Sequence, residues 1–170
     1  MSKKLVFHYI FCLAGICVAI YSLHVESKLY DPVLPDYAPS CDLSAWKMSC
    51  SKVFKSPYAH ILSHWNIVAK SGRFDFSLPQ LAFTYFVLMF FQPSLVLRNV
   101  FYAHFFKWLS FISIGFNLYL AYILKFVLGE FCLVCVSNYF INVGLVLTVN
   151  YINADVFAAS NLRSLAKKTT

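Results

Sequence analysis

The sequence predicts an all-α membrane protein: a four-transmembrane-helix bundle with a lumenal loop that carries a short interfacial helix. Three observations predict it. Hydrophobic residues make up 60% of the 170 residues and charged residues only 12%, against about 25% charged in an ordinary soluble domain. A soluble fold of this length has too much surface for its volume to hide that much apolar material. Four stretches of about 20 residues, enough to cross a bilayer core, are nearly free of charge, and one long polar stretch separates the first from the second. The whole chain, 1–170, reads as a single membrane domain.

The spans are placed near 6–24, 79–97, 104–126 and 131–151, from the charges that bracket them: Lys4 and Glu26, Asp75 and Arg98, Arg98 and Lys125, Glu130 and Asp155. The first apolar run, Leu5 to Val25, is longer than the hydrophobic region of a cleaved signal and lacks a small-residue cleavage site before the polar loop, so it reads as a retained helix. Pro79 and Pro93 sit near the ends of the second span, where a missing backbone donor costs least.

Four spans return both termini to one side. Lys3, Lys4, Arg98, Lys107, Arg163, Lys167 and Lys168 share that side, which the positive-inside rule makes cytoplasmic. Lys167-Lys168-Thr169-Thr170 has the form of a dilysine retrieval signal, read by coat proteins. Together these predict a multi-pass protein of the endoplasmic reticulum membrane, with both termini cytoplasmic and the 25–78 loop in an oxidising lumen, where disulfides persist. The net charge of +7 comes from scattered and terminal residues and forms no basic stripe, so nucleic acid is not an expected partner; lipid is.

The loop opens with Pro32, Pro35, Pro39 and three aspartates, an irregular segment. From Asp42 to Phe54 an apolar side (Leu43, Trp46, Val53, Phe54) suits a short helix lying on the membrane surface and stopped by Pro57. The stretch through His60, His64, Trp65 and Phe74 is expected to lie there too.

Four of the six cysteines carry the chemistry. Cys132 and Cys135 form a C-x-x-C at the start of span four, and Cys41 and Cys50 bracket part of the loop. Two intervening residues bring a pair of sulfurs within bridging reach, and the free amides and dipole of a helix N-terminus favour a thiolate. The competing readings are a fixed structural disulfide and half of a zinc site. Zinc is disfavoured, because the Cys41–Cys50 spacing is wider than usual for paired ligands and His60 and His64 offer only a loose completion. Two pairs on one side of a membrane suggest a relay by thiol–disulfide exchange from a soluble dithiol protein to an organic acceptor. Cys132, Cys135, Tyr139 and Asn142 recur at intervals of three and four, so they share a helix face. Polar groups inside a membrane helix face a bundle interior or a cavity. Tyr139 is taken as a substrate contact; Asn142 is left between substrate contact and interhelical hydrogen bonding. Cys12 and Cys17, within span one, read as small buried hydrophobes.

These residues resemble a known family. Cys41-Asp42-Leu43 with Ser49-Cys50-Ser51-Lys52-Val53-Phe54 is similar to the loop motif of vitamin K epoxide reductases. So are Leu118-Tyr119-Leu120-Ala121, Phe131-Cys132-Leu133-Val134-Cys135, Tyr139 and Ile141-Asn142-Val143, and in span one Tyr21-Ser22-Leu23-His24-Val25. The resemblance implies reduction of vitamin K epoxide and vitamin K quinone as substrates, with no tightly bound cofactor and no metal; coumarins block the family, and whether they block this chain is left open. It implies that Cys135 attacks the substrate, Cys132 resolves the adduct, and Cys50 re-reduces Cys132. Cys41 then exchanges with Cys50 and takes electrons from a lumenal thioredoxin-like partner. Tyr139 would bond one substrate oxygen. Where the family places an asparagine for the other oxygen, this chain has Gln80, aligned through Pro79. Ser56 is a candidate pocket residue or an ordinary loop serine. The same sulfurs run in reverse would make a quinone-linked thiol oxidase. A non-enzymatic tetraspan scaffold with fixed disulfides is the third reading, disfavoured because two of the cysteines begin a membrane helix beside polar groups.

Overall fold

The computed structural model describes residues 3–32, 37–42, 49–68 and 75–168, with 163–168 described by their backbone alone. Among the described residues six α-helices follow one another: α1 (Lys3–Leu29), α2 (Cys50–Lys55), α3 (Ile61–His64), α4 (Leu78–Arg98), α5 (Val100–Tyr122) and α6 (Leu133–Lys168). A 3-10 turn, Pro57–Ala59, links α2 to α3, and a π-helical turn, Ile123–Leu128, prolongs α5. Helices α1, α4, α5 with its π turn, and α6 are each long and apolar enough to cross a membrane. These are the four expected spans. Leu43, Trp46 and Phe74 of the expected interfacial segments lie outside the described residues, as do Thr169, Thr170 and the side chains of Lys167 and Lys168.

The four long helices close into a ring, in which α1 packs on α4 and α6, and α5 packs on α6 and α4. Without a hydrophobic driving force between helices in lipid, close packing and hydrogen bonds must hold them together. Phe86 of α4 fills the space above Gly15, and Phe11 of α1 the space above Gly144, so neither glycine has room for a Cβ. One buried core joins Cys12, Ala19, Phe86, Met89, Phe106, Leu145 and Val149. Buried polar groups pair across helices: the His8 ring contacts the Met89 carbonyl (2.9 Å) and Thr148 Oγ1 (3.2 Å). Gln92 donates to Asn153 (3.2 Å), which donates to the Ala103 carbonyl (2.9 Å). Phe, Leu, Ile and Trp side chains cover the outside of the ring, among them Phe7, Leu97, Phe101, Trp108, Ile112 and Phe140. In a soluble protein such a surface would aggregate; against lipid it is the expected one.

Two helix ends differ from expectation. Helix α6 runs on to Lys168 instead of stopping near 151. Charge marks where the apolar run ends, but residues 152–168 contain neither Gly nor Pro to break the helix. The junction between α4 and α5 is shorter than a loop. Asn99, in extended backbone, caps both helices: its amide hydrogen bonds to the Leu95 carbonyl and its side chain accepts from Phe101 N at 2.9 Å. Pro79 falls in the first turn of α4, while Pro93 lies inside a helix that continues five residues beyond it. Lys4 and Asp155 form an ion pair at 3.0 Å, so the start of α1 and the far part of α6 lie at the same end of the bundle.

Candidate active site

The site lies at the opposite end, where the loop folds back on the bundle. Helix α2 is only six residues long, and such a helix has nearly as many orphan amides as residues. Three of them are supplied with side-chain acceptors. Asp42 Oδ1 accepts from Cys50 N (2.6 Å) and Ser51 N (3.1 Å), and Ser49 Oγ accepts from Lys52 N (3.3 Å). Asp42 Oδ2 also accepts from Ser51 Oγ. Pro57 ends the helix as expected.

Two further ties dock α2 onto the turn before α6: the Ser49 amide donates to the Phe131 carbonyl at 3.0 Å, and Lys52 pairs with Glu130. Gly129, at φ 63°, supplies the left-handed residue that ends the π turn and sends the chain into this segment. From α1, Tyr30 Oη donates to the Phe54 carbonyl at 3.1 Å. Beneath α2 a second buried cluster gathers Val25, Cys41, Cys50, Val53, Phe54, Leu124 and Cys132.

The docking aligns four sulfurs. Cys41 and Cys50 are joined by a disulfide. Cys50 Sγ lies 3.8 Å from Cys132 Sγ, and Cys132 Sγ lies 2.8 Å from Cys135 Sγ; these last two are free thiols. The order along the line is Cys41, Cys50, Cys132, Cys135. Cys132 stands just ahead of α6 and takes the part of its N-cap. Its sulfur accepts from Cys135 N at 3.3 Å, while its carbonyl accepts from Val136 N at 3.1 Å. The hydrogen bond donated by the Cys135 thiol holds the Cys132 thiol below the usual cysteine range. The Cys135 and Val134 amides add to this, against burial and the Asp42 carboxylate. Cys132, just outside α6, is therefore the sulfur of this pair that the local hydrogen bonds favour as a thiolate.

Cys135 opens onto a cavity of about 340 Å³ between α1, α2, α4, α5 and α6, within the range of small-molecule sites. Its walls are largely apolar, with Phe54, Ala82, Phe86, Phe116 and Leu120 among them. Its polar side chains divide into two groups. Ser113, on α5, lies within hydrogen-bond distance of Tyr85 Oη (3.0 Å) and of Asn142 Oδ1 (3.1 Å), so the phenol can donate to the serine and the serine to the amide oxygen, and Asn142 Nδ2 donates to the Asn138 carbonyl (3.1 Å); these groups all have partners. Tyr139 Oη, Asn117 Nδ2 and Asn138 Oδ1 are buried with no protein partner.

A pair of thiols, one of them lining an apolar cavity, set beside a disulfide-bonded second cysteine pair, is an arrangement suited to a thiol-based oxidoreductase. Residues 6–150 match the vitamin K epoxide reductase family. The chain belongs to that family. It is 34% identical over 146 residues to vitamin K epoxide reductase complex subunit 1 of Rattus norvegicus. With the corresponding protein of Mus musculus the identity is 32% over 147 residues. Each alignment covers 80% of this chain and 82% of the relative. The chain is accordingly an enzyme, an oxidoreductase of the vitamin K epoxide reductase kind.

Against this family frame, the structure gathers the four redox-candidate cysteines and Tyr139 but not Gln80 or Ser56. Gln80 is exposed, and its Oε1 accepts from Ser77 N at 3.1 Å in the capping box that starts α4. Its neighbours Pro79, Leu81 and Ala82 line the cavity while it does not. Ser56 Oγ is turned back onto the Val53 carbonyl at 2.7 Å. Asn142 is engaged between helices, the interhelical alternative left open for it. His60 and His64 lie apart from the sulfurs: His60 sits between Glu26 (3.9 Å) and Asp75 (3.5 Å), and His64 packs on Tyr58. Cys12 is buried beside His8, and Cys17 is exposed. The residues that sequence reasoning missed are Asn117 and Asn138. Their only signal was an amide in an apolar run, which Asn142 shares.

Proposed function

We propose that the chain is a membrane thiol-dependent reductase of vitamin K epoxide and vitamin K quinone. The observation that carries this reading is the line of four sulfurs, which leads from the loop disulfide to a thiol at an apolar cavity. Cys135 is the attacking group. On the quinone, its sulfur adds to a ring carbon as its proton passes to Cys132. Cys132, once deprotonated, attacks the Cys135 sulfur: the S–S bond forms, the C–S bond breaks, and its electron pair stays with the ring. Two thiols lose two electrons and two protons, and the quinone gains both to become the hydroquinone. With the epoxide, the same two electrons and two protons give quinone and water. Tyr139 Oη, buried and unpartnered at the cavity, donates a hydrogen bond to a substrate oxygen.

The inner disulfide is then reopened from outside. A lumenal thioredoxin-like dithiol protein reduces Cys41–Cys50, and the freed Cys50 attacks Cys132 across the short gap between them. Exchange proceeds by in-line attack of thiolate on disulfide, which suits sulfurs already in contact. The enzyme belongs, on this reading, in the endoplasmic reticulum membrane, with both termini cytoplasmic and coat proteins reading Lys167 and Lys168.

The test is product formation from vitamin K epoxide or quinone by purified protein, driven either by dithiothreitol or by a reduced thioredoxin-like protein. Cys135→Ala is expected to stop turnover with both donors. Cys41→Ala is expected to keep most turnover with dithiothreitol, which reaches the inner pair directly, and to lose most of it with the protein donor. Full reduction by Cys135→Ala would refute the site. Equal loss under both donors for Cys41→Ala would make the loop bridge structural only.

A further inference from the structure

The cavity beside Cys135 holds a buried amide that the reaction scheme above does not use. Asn117 lies on α5, a different helix from Cys135 and Tyr139, and is only 8% exposed. Its side chain lines the cavity, and its Nδ2 is buried with no partner. An unpartnered buried donor is costly to a fold, and membrane helices bury polar side chains where other helices or a ligand satisfy them. The neighbouring polar groups show the contrast. Tyr85, Ser113 and Asn142 satisfy one another across α4, α5 and α6, and Asn117 is left out of that network.

We propose that Asn117 is a substrate-binding, specificity-determining residue that donates a hydrogen bond to one carbonyl oxygen of a quinone-type ligand, while Tyr139 donates to the other. This rests on the reading of the cavity as a quinone site. A quinone ring offers two acceptors and no donor. Of the three unpartnered atoms, Tyr139 Oη and Asn117 Nδ2 donate, whereas Asn138 Oδ1 only accepts and so cannot serve a quinone carbonyl. One donor alone leaves the ring free to turn about a single oxygen. Two donors on two helices fix which ring carbon faces Cys135. The side chain first expected in this part, Gln80, points out of the cavity and is engaged in capping α4.

The experiment compares wild type, Asn117→Leu and Asn117→Ser in detergent, with dithiothreitol as donor and 2-methyl-1,4-naphthoquinone as probe. Asn117→Leu keeps the approximate side-chain volume and removes the donor. Its KM is expected to rise about five- to tenfold, as for one lost hydrogen bond, with any fall in kcat smaller than the rise in KM. Asn117→Ser keeps a hydroxyl donor and is expected to fall between the two. Alkylation of Cys135 by N-ethylmaleimide without quinone should proceed at the wild-type rate in all three, and quinone should protect Asn117→Leu only at correspondingly higher concentration. The melting temperature of Asn117→Leu should equal or exceed that of wild type, because an unsatisfied amide has been removed. An unchanged KM in Asn117→Leu overturns the assignment. So does a lowered melting temperature accompanied by loss of kcat, the outcome for an amide that only supports the fold. If wild type itself fails to reduce the probe, the quinone-site reading fails first; with wild type active, failure falls on Asn117 alone.

Discussion

Replacing Asp42 by alanine tests whether the position of Cys50 is set by the cap on α2. The Asp42 carboxylate accepts the first two amides of that helix and the Ser51 hydroxyl. It is half-buried, so solvent replaces part of what is lost. Alanine at a capping position costs about 0.5–2 kcal/mol. A tenfold change in an equilibrium is about 1.4 kcal/mol, so the population with α2 formed and Cys50 facing Cys132 should fall by about two- to thirtyfold once the Cys41–Cys50 bridge opens. While the bridge is closed it holds Cys50 near Asp42 regardless, so the loss should appear only in steps that need reduced Cys50. The assay is turnover of Asp42→Ala with a thioredoxin-like protein as donor against turnover with dithiothreitol. The first should drop by that factor and the second should stay within about twofold. Asp42→Asn, which keeps an acceptor, should recover most of the protein-driven rate. Equal loss with both donors, or none with either, would refute the reasoning, since it would mean that Cys50 does not need α2 to reach Cys132.

Three other expectations follow from the same geometry. The thiolate of Cys132 should form below the ordinary cysteine range, so its reaction with a small alkylating agent should persist to lower pH than that of an unperturbed cysteine; Cys135→Ala removes the donated hydrogen bond and should move the inflection upward, and an unmoved inflection would show that Cys135 does not set it. Gln80→Ala should lower the melting temperature slightly through loss of the capping box while leaving KM for quinone within about twofold; a large rise in KM would return Gln80 to the cavity. Gly15→Val puts a branched side chain into space already filled by the Phe86 ring and should destabilise the bundle by about 1–3 kcal/mol, measured by unfolding in detergent, with little loss expected only if α1 and α4 do not pack here.

The spans were legible because charge is scarce: Glu26, Asp75, Arg98, Glu130 and Asp155 bracket the apolar runs. The ends of the helices were less legible, because a helix stops where its backbone is broken and not where its hydropathy changes. Hence α6 passes Asp155 without interruption to Lys168, while a single residue, Asn99, is enough to separate α4 from α5. Gln80 shows a related limit. Alignment through Pro79 placed it beside the substrate, but each helical residue turns about 100° from the last. Pro79, Leu81 and Ala82 face the cavity and Gln80 faces away. Asn117 and Asn142 look alike in one dimension; only the approach of Ser113 and the packing of α5 on α6 make one satisfied and leave the other bare.

The cysteines show what spacing can and cannot decide. The interval between Cys132 and Cys135 is enough to place their sulfurs together, since both follow from one helix start. Spacing alone does not give the order Cys41, Cys50, Cys132, Cys135, which only the family resemblance implied, because Cys50 and Cys132 are 82 positions apart. That order depends on α2 being pinned from three directions: Asp42 on its amides, Phe131 on the Ser49 amide, and Glu130 on Lys52. The placing of Cys132 one residue ahead of α6, and not within its first turn, matters in the same way. As the N-cap, its sulfur faces the Cys135 amide and the Cys135 thiol together, which draws the negative charge to the sulfur that also touches Cys50. Cys132 thus lies next to both Cys50 and Cys135, and on the proposed relay an exchange between loop and membrane pair passes through it. Loss of Cys132 should therefore stop turnover with either donor, whereas loss of Cys41 should stop it with only one.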